Sequence, residues 1–584
     1  MTAAAASDGA ATADGAAAAA ASDGAAAAAA PSGFDAVELG IEDPAAVLPL
    51  GARAVPGRRR LMCLFLHRHL NFRLAEASAL AEAAYGARAA ADGLPVIVWE
   101  RPAGGVLASP FWHAHLPEEE ADAGAGADAP AAGRRRRHVR SAAALARRVM
   151  EDAMLARCFL EPWGEGATVE AMRAAVAAHP EAERAAVAAP DQSFAFTVEA
   201  WGRRLPPAET VALIESMQPA TRFEGRIDLA APAHRFWLLV VGAGGGGADP
   251  AHGSLPTLPQ RAYMGRQLTP YVRGQRGGPA RAALARFDLT KRRYLGPTSM
   301  DAELAFVMAA LAGARRGALV LDPCTGTGSV LVAAAARGAL TLGADIDVRV
   351  VKTGKVERGT GAALNVWTNF RDYGLPLPLG LLRADMSALP LRADLAAAGG
   401  VLDAIAADPP YGVRAGGRKS GRAPGAAAAA PPPPGAAPRR ALPRAPYPLA
   451  ECCRDLADLA ARALVLGGRL AFWVPAAPGF YDPAELPTHP ALRRVANCEQ
   501  VLSGRYSRRL VAMVKVTPYD AAAAAAHYAR LGPPRMAQDS MREYVYAAVK
   551  EGASEAQAGG ERGAKFAAAA AAATAAKRSR GKWI

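Results

Sequence analysis

In the run DAIAADPPYG, Asp408, Pro409, Pro410 and Tyr411 follow directly on a short apolar stretch, Asp403 to Ala407. If that stretch is a strand, the four residues lie beyond its carboxyl end, where open α/β sheets perform chemistry. Asp408 contributes an acceptor-only carboxylate. The two prolines stiffen the turn and leave carbonyls without matching N–H donors, and Tyr411 offers a flat π face with a polar tip. Together they form a cup for a planar ring that carries an exocyclic amine. The carboxylate and a proline carbonyl would each accept one amine hydrogen, freeing the nitrogen lone pair to attack an electrophile, while the tyrosine stacks on the ring at roughly 1–3 kcal/mol. An ordinary Pro-rich turn has the same local sequence, so the rest of the chain must supply an electrophile and a substrate.

The electrophile is suggested by ALVLDPCTGTGSVLVAAAARGALTLGADID. Leu319 to Leu321 reads as a buried strand, Asp322 to Gly328 as a glycine-containing turn, Ser329 to Arg337 as a helix, and Leu340 to Ala344 as a second strand ending at Asp345. This is a nucleoside-binding βαβ pattern. Gly326 and Gly328 let the backbone approach a ligand, and Asp345 is spaced to accept from two ribose hydroxyls. The position of the third glycine of a dinucleotide fingerprint is Leu331, which disfavours a nicotinamide cofactor. A ligand without a pyrophosphate, such as S-adenosylmethionine, fits better, with Asp322 near its cationic sulfonium or amino group. Asp385, in RADM at the end of a third strand, suits an adenine contact. Asp347 is either a further contact or a helix cap, and Thr298 is a candidate to cover the donor. Glycine turn, acids and DPPY in this order on successive strand ends point to an amino-methyltransferase.

The elements that must hold these residues fall into two folded parts. Residues 1–57 are Ala/Gly/Ser/Asp low complexity and are expected to be disordered. A first part spans 58–284. It holds a strand at Leu61–Leu66, a helix at Arg73–Tyr85, and a strand at Pro95–Trp99 at βαβ distance. An acidic insertion lies around 116–133, and a largely helical segment runs from Arg134–Arg137 to Pro162. An alternating strand follows from Phe194, then a helix near Ala208–Met217 and a strand at His234–Val241. The second part, 285–517, opens with a helix whose start is signalled by Thr298 and Asp301 at capping-box spacing. It carries a basic Pro-rich insertion at 416–446 and ends in a hairpin bearing Arg505, Arg508 and Arg509. Residues 518–584 are a low-complexity basic tail.

Composition sets outer limits. The chain has 584 residues with a formal net charge of +14, so polyanions, nucleic acid first, are the partners to expect. Its cysteines, Cys63, Cys158, Cys324, Cys452, Cys453 and Cys498, form no C-x-x-C pair, which argues against a structural zinc or a disulfide framework. No long apolar run resembles a membrane span. No basic leader precedes Arg53, so a cytoplasmic or nuclear protein is expected.

With these residues assembled, the chain resembles the catalytic-subunit family of the eukaryotic tRNA (guanine-10-N2)-methyltransferase. LHRHLNFRLAEASAL, CFLEPWG, SFAFTVEAWGRRL and FEGRIDL resemble that family's THUMP-type region. TSMDAELAFVMA, DPCTGTGSVL, GADID, DPPYGVR, LVLGGRLAFWVP and NCEQVLSGRYSRRLVAM recur in the family's order. The resemblance implies a Rossmann-like class I methyltransferase α/β domain preceded by an α+β THUMP-type RNA-binding region. It further implies S-adenosyl-L-methionine as methyl donor and the N2 of a guanine in the D-arm region of tRNA as acceptor. A small zinc-binding activator subunit would be the partner. Lys291, Arg292 and Arg293 would then hold tRNA phosphates. Two other readings remain open: methylation of an amine on another base of RNA or DNA, and a noncatalytic tRNA-binding scaffold.

Overall fold

The structure, a computed structural model, describes residues 39–49, 51–52, 54–86, 92–105, 107, 109–118, 141–201, 205–242, 260–270, 277–296, 299–357, 359–392, 394–410, 417–421, 444–476, 481–503 and 506–540. All of them belong to one compact unit. Tyr411, Thr298, Arg505 and the tetra-arginine run lie outside the described residues.

The N-terminal half is built on a seven-stranded sheet. Its strands are β1 (Arg58–Phe65), β2 (Val98–Glu100), β3 (Phe111–Pro117), β4 (Ala156–Gly166), β5 (Phe194–Trp201), β6 (His234–Val241) and β7 (Arg261–Gln267), in the spatial order β2-β3-β1-β4-β7-β6-β5. Only β5 and β6 run parallel. Alternation decides the faces. Leu61, Cys63 and Phe65 of β1 pack under α1 (Arg73–Tyr85) and α2 (Ala142–Asp152), whereas Met62 and Leu64 meet Trp237, Leu239 and Tyr263 on the other face. Phe111 on β3 and Trp201 on β5 are five strands apart, about 24 Å in a flat sheet. Their ring centroids are 6.3 Å apart. The sheet therefore coils strongly upon itself, as right-handed strand twist favours.

Several expectations are corrected here. Pro95–Trp99 completes a split rather than a simple βαβ unit: β2 pairs with β3, which lies between it and β1 and is antiparallel to both, so β1 and β2 run parallel on either side of it. The segment read as helical up to Pro162 stops being helix at Asp152 and becomes β4. The physical reason lies on another element: the buried carboxylate of Glu76 on α1 accepts from the N–H groups of Met154 and Leu155, both at 2.9 Å. These bonds take the donors that further helical turns would have used. The helices α3 (Val169–Ala177) and α4 (Glu181–Ala188) and the strand β7 were not anticipated. Residues 39–49, assigned by composition to the disordered terminus, pack against the C-terminal hairpin. Asn497 donates to Gly40 O at 3.1 Å, and Glu42 pairs with Arg494 at 2.9 Å.

The C-terminal half is a second seven-stranded sheet. It contains β8 (Leu319–Asp322), β9 (Leu340–Asp345), β10 (Gly380–Arg383), β11 (Leu402–Ala407), β12 (Leu464–Ala476), β13 (Leu492–Ser503) and β14 (Tyr506–Lys515). The order is β10-β9-β8-β11-β12-β14-β13, parallel through β12 and closed by the antiparallel hairpin β13–β14. The strand order reverses between β8 and β11, which makes their carboxyl ends the topological switch point. The helix α5 (Ala302–Leu311) is buried along its whole length. Its N-cap is Asp301, whose carboxylate accepts from the N–H groups of Glu303 and Leu304; Thr298, expected to share the cap, lies outside the described residues. A ten-residue helix with no exposed face belongs inside a core, and α5 shares one apolar cluster with Phe72 and Ala75 of the N-terminal half. Residues 521–531, read as part of the low-complexity tail, form a helix capped by Asp520. The turn that follows sends Asp539 to cap Leu449 at 2.7 Å, the first residue of the helix Leu449–Ala463.

Candidate active site

Three carboxylates converge where β8, β9 and β11 end. Asp322 closes β8, Asp345 closes β9 and Asp408 follows β11, with Ile405 in register with Leu321 and Leu342 also in register with Leu321. Asp322 is almost fully buried. One of its oxygens accepts from Cys324 N–H at 3.0 Å and the Thr325 hydroxyl donates to its carbonyl at 3.0 Å, which winds the glycine turn around it. Burial pushes the Asp322 carboxyl well above the carboxylate range, the Cys324 N–H works against that, and the charges of Asp345 and Asp408 reinforce it. An acid in that position gains from a cation placed beside it.

Asp345 braces the same turn. Its carboxylate accepts from Gly326 N–H at 3.0 Å and from Asp347 N–H at 2.8 Å. A carboxylate oxygen can accept more than one hydrogen bond, so an acid that braces a turn can also accept from a ligand hydroxyl. Gly326 and Gly328 both have positive φ, 51° and 79°. Gly328 has no room for a side chain either, since a Cβ there would stand 2.8 Å from Val366 Cγ1. Thr327 is held from behind: its hydroxyl meets Ser299 at 2.7 Å and its carbonyl accepts from Asn369 Nδ2 at 3.2 Å. Ser299 and Asn369 carried no local signal of this role, because both reach the turn only through packing.

Asp385 lies just past β10 and caps the short turn Met386–Ala388, accepting from Ser387 N–H at 2.9 Å and from its hydroxyl at 2.8 Å. Ser420 N–H also donates to it, tying the two-stranded ribbon Arg418–Ser420/Arg444–Pro446 to this edge of the site. The rest of the Pro-rich insertion lies outside the described residues. Asp347 accepts from Arg349 N–H at 2.9 Å and pairs with its guanidinium, the capping role rather than a converging one.

On the opposite side of the switch point, Asp408 is pushed up to about 6 by burial, with Arg508 pulling it back. Arg508 stands on β14, its Nη1 3.8 Å from Asp408 Oδ2 and its guanidinium 4.0 Å above the ring of Trp473. Pro409 is buried and Pro410 half-buried behind Asp408.

Of the basic triplet, Arg292 is withdrawn from the surface, while Lys291 and Arg293 are exposed. Arg292 is buried and donates to the Ser329 hydroxyl at 2.6 Å, and Arg293 pairs with Glu357 at 3.1 Å and Asp372 at 3.4 Å. Lys291 donates to Ala285 O at 2.6 Å.

Comparison with known proteins matches these two halves separately and together. Residues 138–273 match the Tmrp11 THUMP N-terminal domain and residues 290–423 match an RMKL-like methyltransferase domain. Among solved structures, TrmN from Thermus thermophilus aligns over 78% of this chain and 99% of its own at 20% identity, with a TM-score of 0.32, too low to carry weight. The relative from Rattus norvegicus named tRNA (guanine(10)-N(2))-methyltransferase TRMT11 is 31% identical over 483 residues, 80% of this chain and 90% of the relative. The Homo sapiens protein of the same name is 30% identical over 79% of this chain and 89% of its own. By this identity over about four fifths of this chain and nine tenths of its relatives, the chain belongs to the TRMT11 family of tRNA (guanine(10)-N(2))-methyltransferases.

Proposed function

We propose that this chain transfers a methyl group from S-adenosyl-L-methionine to the exocyclic N2 of guanine 10, in the D-arm region of tRNA, as the catalytic subunit beside a small zinc-binding activator. The observation that carries the reading is the pairing of acids across the switch point, Asp322 and Asp345 on one side and Asp408 on the other. The fit to the donor is chemical. A buried, negatively surrounded Asp322 calls for a cation, and S-adenosyl-L-methionine supplies a methyl group activated on a sulfonium. Asp345 is suited to the ribose hydroxyls, Gly326 and Gly328 to close backbone approach, Asp385 to the adenine, and Thr298 to cover the donor.

The chain's own work is to hold the base. Flipping a guanine from its stem costs a few kcal/mol. Asp408 and the Pro409 carbonyl then accept from the N2 amine, with Pro410 stiffening the turn and Tyr411 stacking on the base. Fixing the amine for in-line attack provides most of the acceleration. Asp408, titrating near neutrality, also suits the proton that the methylated amine must release.

The THUMP-type match and the net charge of +14 support tRNA binding by the N-terminal half. For the activator, support comes from β10. It is the outermost strand of its sheet; Leu382 on it and Leu377 and Leu379 (63% exposed) just before it stand open. An open edge with exposed leucines is a surface that proteins normally cover.

The test is incubation of the full chain and activator with methyl-labelled donor and tRNA, followed by digestion to nucleosides. Label in N2-methylguanosine, lost in Asp408→Ala, is the expected result. Label in another nucleoside, or undiminished turnover in a folded Asp408→Ala protein, would overturn the reading.

A further inference from the structure

We propose that Arg508 is a positioning residue that keeps the Asp408 carboxylate in its two-acceptor form, and that this form selects guanine by accepting from N1–H as well as from N2–H. The inference rests on the DPPY cup described above and goes one step further, to how the cup recognises its base.

Arg508 is held by three neighbours. On β14 it is in register with Pro475 of β12 and Gln500 of β13, and its Nε donates to Gln500 Oε1 at 2.7 Å. Its guanidinium lies 4.0 Å above Trp473, whose side chain is fully buried, a stacked cation–π geometry that lysine does not reproduce. Ala407 is in register with Phe472, so Asp408 emerges beside Trp473 and below the guanidinium. The 3.8 Å between Arg508 Nη1 and Asp408 Oδ2 exceeds hydrogen-bonding distance, so this contact works through its field.

The surroundings otherwise favour a neutral carboxyl. Asp408 is half-buried, Asp322 and Cys324 act on it from the glycine turn with Asp345 beside them at the end of β9, and Asp301 and Tyr506 stand near Arg508. Among the described residues, the cation whose field lowers the Asp408 carboxyl is Arg508. The protonation state matters to recognition because it sets the hydrogen-bond pattern. An ionised carboxylate has two acceptors, a neutral acid one donor and one acceptor. Beside its reacting amine, guanine presents N1–H, a second donor that matches two acceptors. Adenine and cytosine present a ring nitrogen acceptor there, which matches the neutral acid. An arginine that holds the carboxylate ionised therefore turns a general amine cup into one that prefers guanine.

The probe is tRNA carrying 2-aminopurine in place of the target guanine. It keeps the N2 amine but replaces N1–H with an acceptor. The readout is the ratio of kcat/KM for the guanine and 2-aminopurine substrates, which is independent of the fraction of enzyme that is folded. The full chain with its activator should prefer guanine, Arg508→Gln should narrow the ratio by about tenfold or more, and Arg508→Lys, which keeps the charge but not the stacking on Trp473, should restore only part of it. In the unsubstituted enzyme the ratio should also narrow as the pH is lowered from about 8 to about 5.5. If Arg508→Gln is inactive on both substrates, this second measurement decides. A ratio that changes neither with Arg508→Gln nor with pH overturns the proposal. Retained activity in Asp408→Ala would instead overturn the cup itself, so the two failures are distinguishable.

Discussion

The carboxylate of Asp345 accepts the Gly326 N–H at 3.0 Å, joining the end of β9 to the glycine turn that follows β8. One side chain thus shapes the turn and stands ready for a ligand hydroxyl. Removing it should cost both. Asp345→Ala is expected to weaken donor binding by roughly 100-fold, since charged hydrogen bonds contribute about 1.5–3 kcal/mol each. Asp345→Asn, which keeps an acceptor for Gly326, should lose less. Isothermal titration with S-adenosylhomocysteine measures both.

The two glycines of the turn should differ in their tolerance of alanine. Both need positive φ, at about 1–2 kcal/mol for an L side chain, but a Cβ on Gly328 also meets Val366 at 2.8 Å while one on Gly326 meets Cys324 O at an ordinary contact distance of 3.9 Å. Gly328→Ala should therefore be the more damaging to stability and to donor affinity. Val366→Ala should rescue part of the Gly328→Ala loss and none of the Gly326→Ala loss, a coupling that a double-mutant cycle reads directly.

Asp408 should make turnover pH-dependent and the fold less stable than it needs to be. Its carboxyl is pushed up to about 6 by burial, so the single-turnover rate should rise with pH through about 6 and level off above about 7. The stability effect has the opposite sign. Between the ordinary aspartate value and 6 the folded state binds the proton that the unfolded state releases, so stability falls as pH rises through that window. At neutral pH the penalty is about 1–3 kcal/mol. Asp408→Asn should raise the thermal midpoint by several degrees at pH 7.5, with little change at about pH 4. An unchanged midpoint at pH 7.5 would count against a buried, strained carboxylate.

The halves of the molecule should separate more easily without Glu303. This buried carboxylate, at the start of α5, pairs with Arg281 at 2.5 Å and Arg68 at 2.9 Å from the N-terminal half. Glu303→Ala leaves those cations partly buried beside an empty site, a loss of about 3–5 kcal/mol for pairs of this kind. Proteolysis under native conditions should then cut the chain between the halves faster than in the parent, and calorimetry should broaden or split the transition.

If β10 is the activator's docking edge, Leu379→Glu should abolish copurification with the activator while leaving the midpoint of the isolated chain within about 0.5 kcal/mol, as is usual for an exposed position. Retained copurification would place the partner elsewhere.

Much of this arrangement is legible in the residues themselves. Helix α1 and strand β6 follow from apolar spacing and end where Gly86 and the Gly-rich segment end them. The order of Asp322, the glycines, Asp345, Asp385 and Asp408 on successive strand ends needs no coordinates, because a βαβ alternation fixes which end of each strand shares the ligand side. Local pattern failed wherever a partner far along the chain took over the backbone. Residues 153–162 have the composition of a continuing helix, yet Glu76 captures the N–H groups of Met154 and Leu155 and the chain leaves as β4. Likewise Arg292 looks like a surface cation until it is buried with its guanidinium on the Ser329 hydroxyl.

By itself, then, the sequence determined the chemistry at the switch point: an acid-and-glycine turn for a cationic nucleoside and a carboxylate-proline cup for an amine, since each rests on residues close together in the chain. Only the tertiary structure decided the charge of that cup. Asp408 and Arg508 are remote in sequence, and they meet because β14 folds back antiparallel beside β12 and lays the guanidinium on Trp473. Burial and a nearby cation are properties of the space around a carboxylate, and that space exists only once the sheet has closed.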